Sequence, residues 1–206
     1  MKKICILIFS LLFTVVALSQ KKLPNAKIGK NETEITLFSL WDNKRGLISD
    51  GRDALGAQGV YRVPWKKYTK IGIGVLITAD YNNNYNLGSD VFFYGALFAD
   101  LTQFIGKRQI WSVGGQAGHG IYKREYKYEE PNLRYSNKYT GGMHYSISVG
   151  YRIIVSKNIL IIASPFIDFR NFPQRNVTEY YSPPSVQRIK STEKHSGFGF
   201  KFGVVF

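Results

Sequence analysis

The chain has 206 residues, with 28 Lys+Arg against 14 Asp+Glu for a formal charge of +14, and it carries 20 Gly, 14 Tyr, 14 Phe and 3 Trp. This is single-domain size. The one cysteine, Cys5, lies within the first twenty residues, so disulfides, zinc–thiolate sites and a cysteine nucleophile are excluded from everything after it.

The first segment, MKKICILIFSLLFTVVALSQ, has the layout of a secretory signal peptide. Lys2 and Lys3 supply the positive start, Ile4 to Ala17 the apolar run, and Ala17-Leu18-Ser19 the small residues that a signal peptidase reads. Cleavage is expected before Gln20, giving a signal over 1–19 and one mature domain over 20–206. At about 1.5 Å per residue the run is short for a hydrocarbon core of about 30 Å, which argues against a transmembrane anchor. Without Lys2 and Lys3, 26 basic side chains stand against 14 acidic ones, a charge of about +12. Export removes nucleic acid as the anionic partner and leaves phosphate-bearing lipid headgroups.

No helix-period pattern follows. Strands are expected over 33–42, 54–63, 68–80, 89–101, 108–123, 138–154, 158–170 and 194–206, with 54–63 (ALGAQGVYRV) alternating poorly. In 194–206 the even positions Phe198, Phe200, Phe202, Val204 and Phe206 oppose Gly197, Gly199, Lys201, Gly203 and Val205. In 138–154 the odd positions Tyr139, Met143, Tyr145, Ile147, Val149, Tyr151 and Ile153 form the apolar face, and Thr140, Gly142, His144, Ser146, Ser148, Gly150 and Arg152 the other. Strand 68–80 repeats the pattern, with Ile71, Ile73, Val75 and Ile77 opposing Lys70, Gly72, Gly74, Thr78 and Asp80.

A soluble sandwich or barrel would bury the apolar face; a transmembrane barrel turns it to lipid and keeps a polar lumen. The second face decides. Gly weakens a solvent-facing strand, whereas a narrow lumen suits Gly, Ser and Thr with isolated charges. The expected lumen charges are Asp80, Arg152, Asp168 and Lys201, with Arg170 able to pair among them. Short connections at 64–67, 102–107 and 155–157 alternate with long ones at 43–53, 81–88, 124–137 and 171–193. That is the rhythm of periplasmic turns and external loops, and eight strands put both termini on the periplasmic side. The expected fold is an all-β, antiparallel, up-and-down transmembrane barrel of eight strands.

With its signal segment, strand rhythm and closing GFGFKFGVVF, the chain resembles the small outer-membrane β-barrel proteins of Gram-negative bacteria, the OmpX/OmpA-barrel class. The resemblance implies an outer-membrane location and an assembly signal in Phe198, Phe200, Phe202, Val204 and Phe206, read by the barrel-assembly machinery. It covers the mature chain as architecture and only the last ten or so residues as a motif.

Some barrels of this kind modify lipids. His144-Tyr145-Ser146 resembles the His-x-Ser pair of lipid A deacylases, with His as base and Ser as nucleophile. Alternation points both residues inward, no acid follows until Asp168, and the stretch after Ser146 lacks that family's Asn and Pro, so a lumen-lining role is preferred. His119 and His195 are isolated, and no metal-ligand spacing or cofactor motif occurs. The glycines of SVGGQAGHG lack the Lys-Ser/Thr and helix of a phosphate loop, and the sequons at Asn31 and Asn176 carry little meaning in a bacterial chain. Trp41, Trp65, Trp111, Tyr139 and Tyr151 are expected at the membrane interfaces. Loops 124–137 and 171–193 mix Tyr, Arg, Lys and Glu and are the candidate surface for a partner and for lipopolysaccharide phosphates. The sequence thus points to a non-enzymatic outer-membrane barrel acting through its loops, with a narrow passive pore and a lipid A-modifying hydrolase as alternatives.

Overall fold

The computed structural model describes residues 31–42, 52–84, 88–106, 109–121, 123–156, 158–181 and 184–206. The expected signal segment and residues 43–51 of the first long loop lie outside them. Ten antiparallel strands follow in chain order: β1 (Glu32–Asp42), β2 (Arg52–Lys66), β3 (Thr69–Asn84), β4 (Gly88–Ile105), β5 (Trp111–Ile121), β6 (Lys123–Glu130), β7 (Leu133–Thr140), β8 (Met143–Ile154), β9 (Leu160–Tyr181) and β10 (Pro184–Val205). Eight of them close a ring in the order β1-β2-β3-β4-β5-β8-β9-β10, with β10 returning to β1. The seam runs from Glu34 opposite Val205 to Asp42 opposite Gly197. Thr33 and Phe206 extend it by exchanging both backbone hydrogen bonds, at 3.0 and 2.9 Å.

The ring is inverted relative to a soluble protein. Ile73, Phe93, Leu37, Ile77 and Ile147 are among its most exposed side chains, while Arg62, Lys70, Asp100, Asp168, Arg170 and Lys201 are buried. Only a surrounding hydrocarbon phase makes such a wall favourable, because apolar side chains gain nothing by facing water. Phe198, Phe202 and Phe206 face outward with Phe200 and Val204 half-buried beside them, and Gly197, Gly199, Lys201 and Val205 are buried on the opposite face.

The weakly patterned run 54–63 is the middle of β2, fully paired to β1 and β3. Its alternation is faint for a steric reason. Outward Ala57 and Gly59 are small, while inward Gly56 has no room for a side chain: a Cβ there would meet the Phe38 ring and the Ile77 carbonyl. Tight connections join β2 to β3, β4 to β5 and β8 to β9 at one end. In the second of these, Gly106 takes φ 78°, a conformation glycine adopts without strain.

The structure departs from the sequence expectation at the other end. The described residues of 124–137 and 171–193 are strand rather than loop, apart from the turn at Pro131-Asn132. β9 and β10 run on past the ring as one continuous hairpin, with Pro184 opposite Tyr181 and Val205 opposite Leu160. The hairpin β6–β7 lies beside it, β7 pairing with β9 from Leu133 opposite Tyr180 to Tyr139 opposite Gln174. A four-stranded distal sheet, β6-β7-β9-β10, thus stands above the rim.

The expected strand 138–154 is also broken. β7 and β8 share one side of β9, yet Tyr139 faces Gln174 while His144 faces Arg170. Five residues on one side span four on the other. That single extra residue at Gly141-Gly142 acts as a bulge and reverses which parity points outward. Gly142 is required there, since a Cβ would strike the Asn171 carbonyl and the Pro173 ring. Tyr139 consequently lies on the inward face, half-buried, its hydroxyl accepting from Asn137 Nδ2 at 3.1 Å and Gln174 Nε2 at 3.2 Å. It does not join the lipid-facing belt.

Candidate functional site

Two regions concentrate polar chemistry: the lumen and the distal sheet. In the lumen, the described side chains supply five cations (Arg62, Lys70, Arg152, Arg170, Lys201) and five carboxylates (Glu32, Glu34, Asp80, Asp100, Asp168). Toward the turn end, Arg62 bridges Glu34 and Asp100, with both contacts at 2.5 Å. Asp100 also accepts from Thr102 Oγ1 at 2.9 Å and Gln116 Nε2 at 3.1 Å. Arg152 grips Glu32 with both terminal nitrogens at 2.9 Å, and Lys70 reaches the same carboxylate at 2.7 Å. Lys201 donates to the side-chain carbonyls of Gln58 at 3.1 Å and Gln116 at 3.3 Å. Toward the sheet end, Arg170 holds Asp168 at 2.6 Å and Asp80 at 3.3 Å. Asp80, Arg152, Asp168 and Lys201 are all buried on the inward face.

Aromatic rings fill the space between these layers. Phe38 and Phe166 meet edge to face at 5.6 Å, and Phe98 is buried beside them. Gly74 and Gly199 make this packing feasible, because a Cβ at either would penetrate the Phe98 or Phe166 ring. Two cavities among the described residues inside the ring are correspondingly small. One of about 20 Å³ lies by Asp80, Asp168, Arg170 and His195, and one of about 10 Å³ lies by Glu34, Arg62, Arg152 and Lys201. Each has room for roughly one water molecule.

Glu32, Glu34, Arg62, Lys70 and Asp100 were not singled out as lumen charges by the sequence reading. A signal was present for two of them: Tyr61-Arg62-Val63 and Ala99-Asp100-Leu101 each set one charge between outward apolar residues, as Ile167-Asp168-Phe169 does. Glu34 was hidden because β1 is apolar on both faces, with Phe38 and Leu40 inward and Ile35 and Leu37 outward.

His144 and Ser146 both point into the lumen, at 1% and 2% exposure. Asp168 supplies an acid partner absent nearby in sequence, lying 2.6 Å from His144 Nε2. The arrangement is not that of a nucleophile and its base, since His144 Nδ1 and Ser146 Oγ are both buried without a hydrogen-bond partner. His144 is instead packed among Tyr94, Phe98, Asp168 and the Arg170 strand position. His119 is exposed on the outer wall and His195 sits by Glu193 at the sheet end. Among the described residues no cluster of His, Cys, Asp or Glu could hold a metal.

Four of the expected belt residues face outward. Trp41 stacks with Phe198 at 6.4 Å near the sheet end. At the turn end Trp111 packs on Tyr151 at 4.7 Å, and Lys66 lies over the Trp65 ring.

The distal sheet has two unlike faces. Strict pairing of β9 with β10 carries the outward parity of Ile167 and Phe169 up to Pro173, Arg175, Val177 and Glu179. Lys138, Arg175 and Lys190 then lie side by side on that outward face across β7, β9 and β10. The face above the lumen carries Tyr135, Asn137, Tyr139, Gln174, Asn176, Thr178 and Tyr180, with no charge on β7 or on β9 above Arg170.

No protein-family model matches the chain, and no curated protein matches it in sequence. Among solved structures it is similar to outer membrane protein AlkL, determined by solid-state NMR in DMPC lipid bilayers. That match has a TM-score of 0.51 at 12% identity and covers 90% of this chain and 92% of AlkL. It is also similar to the translocator domain of autotransporter NalP from Neisseria meningitidis, at TM-score 0.44 and 9% identity over 96% and 95% of the two chains. A third similar structure is the COG4313 outer membrane channel from Pseudomonas putida F1, at TM-score 0.31 and 10% identity over 90% and 97%. The closed eight-strand ring, its apolar exterior and charged interior, and the fold shared with outer membrane protein AlkL give this chain the fold of a transmembrane β-barrel.

Proposed function

We propose that this barrel is a sealed, non-catalytic scaffold in the outer membrane that holds its distal sheet outside the cell as an interaction surface. The observation that carries this reading is the contrast in charge. Ten lumen charges among the described residues are arranged against one another or against buried amides, around two cavities of about 20 and 10 Å³, while the cations of the distal sheet project outward. A transport path would need water-filled width; a hydrolase acting on lipid would need His144 and Ser146 on the outer wall. Neither is what these side chains offer.

Excising the sheet tests this directly. Replacing residues 174–191 by Asn-Gly joins Pro173 to Thr192, and replacing residues 124–139 by Asn-Gly joins Lys123 to Thr140; the two residues of each pair already face each other, and the turn is suited to two-residue hairpins. The variant is expected to reach the outer membrane and keep heat-modifiable migration while losing surface binding. Retention of every surface property by the shortened barrel would sink the reading.

A further inference from the structure

We propose that the outward face of the distal sheet is a phosphate-binding surface for the glycolipid of the outer leaflet, centred on Lys138, Arg175 and Lys190. The inference rests on the reading above that this sheet stands outside the cell, and it names the partner of one face.

Three observations carry it. First, the three cations are direct cross-strand neighbours: Lys138 opposes Arg175, and Arg175 opposes Lys190. Like charges placed so disfavour the sheet; Lys138 has Glu125 opposite it on its other side, whereas Arg175 has a cation on each side. A shared anion removes that repulsion. Second, charge is graded with height. The rows nearest the barrel bring Lys194 and then the Lys138–Arg175–Lys190 row, whereas the carboxylates of β7 to β10 on this face begin only at Glu179, in the row of Arg134 and Val186. The central row ends at Glu125 on β6, the edge farthest from β10.

Third, the face continues the lipid-contacting wall without a break in register from Ile167 and Phe169. At about 3.3 Å per residue and a strand tilt near 45°, Arg175 stands roughly 14 Å above Phe169, with Lys194 lower on the neighbouring strand. The cations therefore ascend through the sugar–phosphate layer, where guanidinium and ammonium groups bind phosphate by charge-assisted hydrogen bonds.

The test uses the full mature chain folded into neutral detergent and fluorescent lipopolysaccharide, with the same glycolipid after phosphatase treatment and inorganic phosphate as further probes. K138Q/R175Q/K190Q should bind lipopolysaccharide roughly a hundredfold more weakly, at about one headgroup-scale interaction per cation, with a shallower salt dependence. The charge-preserving K138R/R175K/K190R should bind within a few-fold of wild type, and heat-modifiable migration checks that each variant has folded. K66Q/K67Q, which removes exposed cations at the opposite end, should leave binding unchanged. The proposal is overturned if the triple Gln variant binds like wild type, if the dephosphorylated glycolipid binds equally well, or if K66Q/K67Q loses as much. Inorganic phosphate binding as tightly as the glycolipid would also overturn it, in favour of a free-anion site. A conducting wild-type barrel would defeat the sealed-scaffold reading and leave these outcomes unaltered.

Discussion

Lumen and distal sheet are built from the same strands, β9 and β10, yet treat charge in opposite ways. Below the rim, Arg170 on β9 is buried and held by Asp168 on its own strand and by Asp80 on β3. Above it, Arg175 and Lys190 stand opposite one another with only like charge across the strand. The difference follows from surroundings. A buried ion is tolerated only when paired and hydrogen-bonded, whereas an exposed one is solvated and free to meet a partner. Charge inside the ring is thus satisfied within the barrel, and charge on the sheet is what the proposed recognition would use.

The strongest way to break this contrast is Arg62→Ala. It strands Glu34 and Asp100 in the lumen, and a loss of about 3–5 kcal/mol is expected in urea unfolding from lipid vesicles. Adding Glu34→Gln and Asp100→Asn should recover part of that loss, since no carboxylate is then left unpaired. Next in size is Gly199→Val, whose side chain enters the Phe166 ring; overpacking of this kind costs about 1–3 kcal/mol. Gly59→Ala is its control, because an added Cβ there meets nothing within 4 Å, and its unfolding midpoint should barely move. Smallest is Lys138→Ala on the sheet, expected within about 0.5 kcal/mol of wild type, because Lys138 lies between the like charge of Arg175 and the opposite charge of Glu125. A loss from Lys138→Ala comparable with that from Arg62→Ala would erase the distinction between the two regions.

The ring was legible in the sequence because alternation over strands such as 68–80 and 194–206 is set by one physical demand, lipid outside and a cramped lumen inside. Phe198 to Phe206 alternate as they do because each even position looks outward while Gly199 yields its space to Phe166 and Lys201 reaches Gln58 and Gln116. The distal sheet was not legible. Strands that face water on one side and a polar mouth on the other, such as Leu133–Thr140 and the upper half of β9, carry little apolar periodicity and read as loops. Tyr139 was misplaced for a related reason: a one-residue bulge at Gly141-Gly142 leaves no mark on hydrophobicity, yet it reverses every side chain beyond it. The His144–Asp168 contact joins residues far apart in sequence through the β8–β9 register, which a linear reading does not supply.

The central claim, that the lumen is closed by its own paired charges and rings, is tested most directly by conductance. Purified wild-type protein inserted in planar bilayers should show no stable single-channel current across the range of potentials the membrane withstands. Steady, reproducible openings of the wild-type barrel would contradict the account.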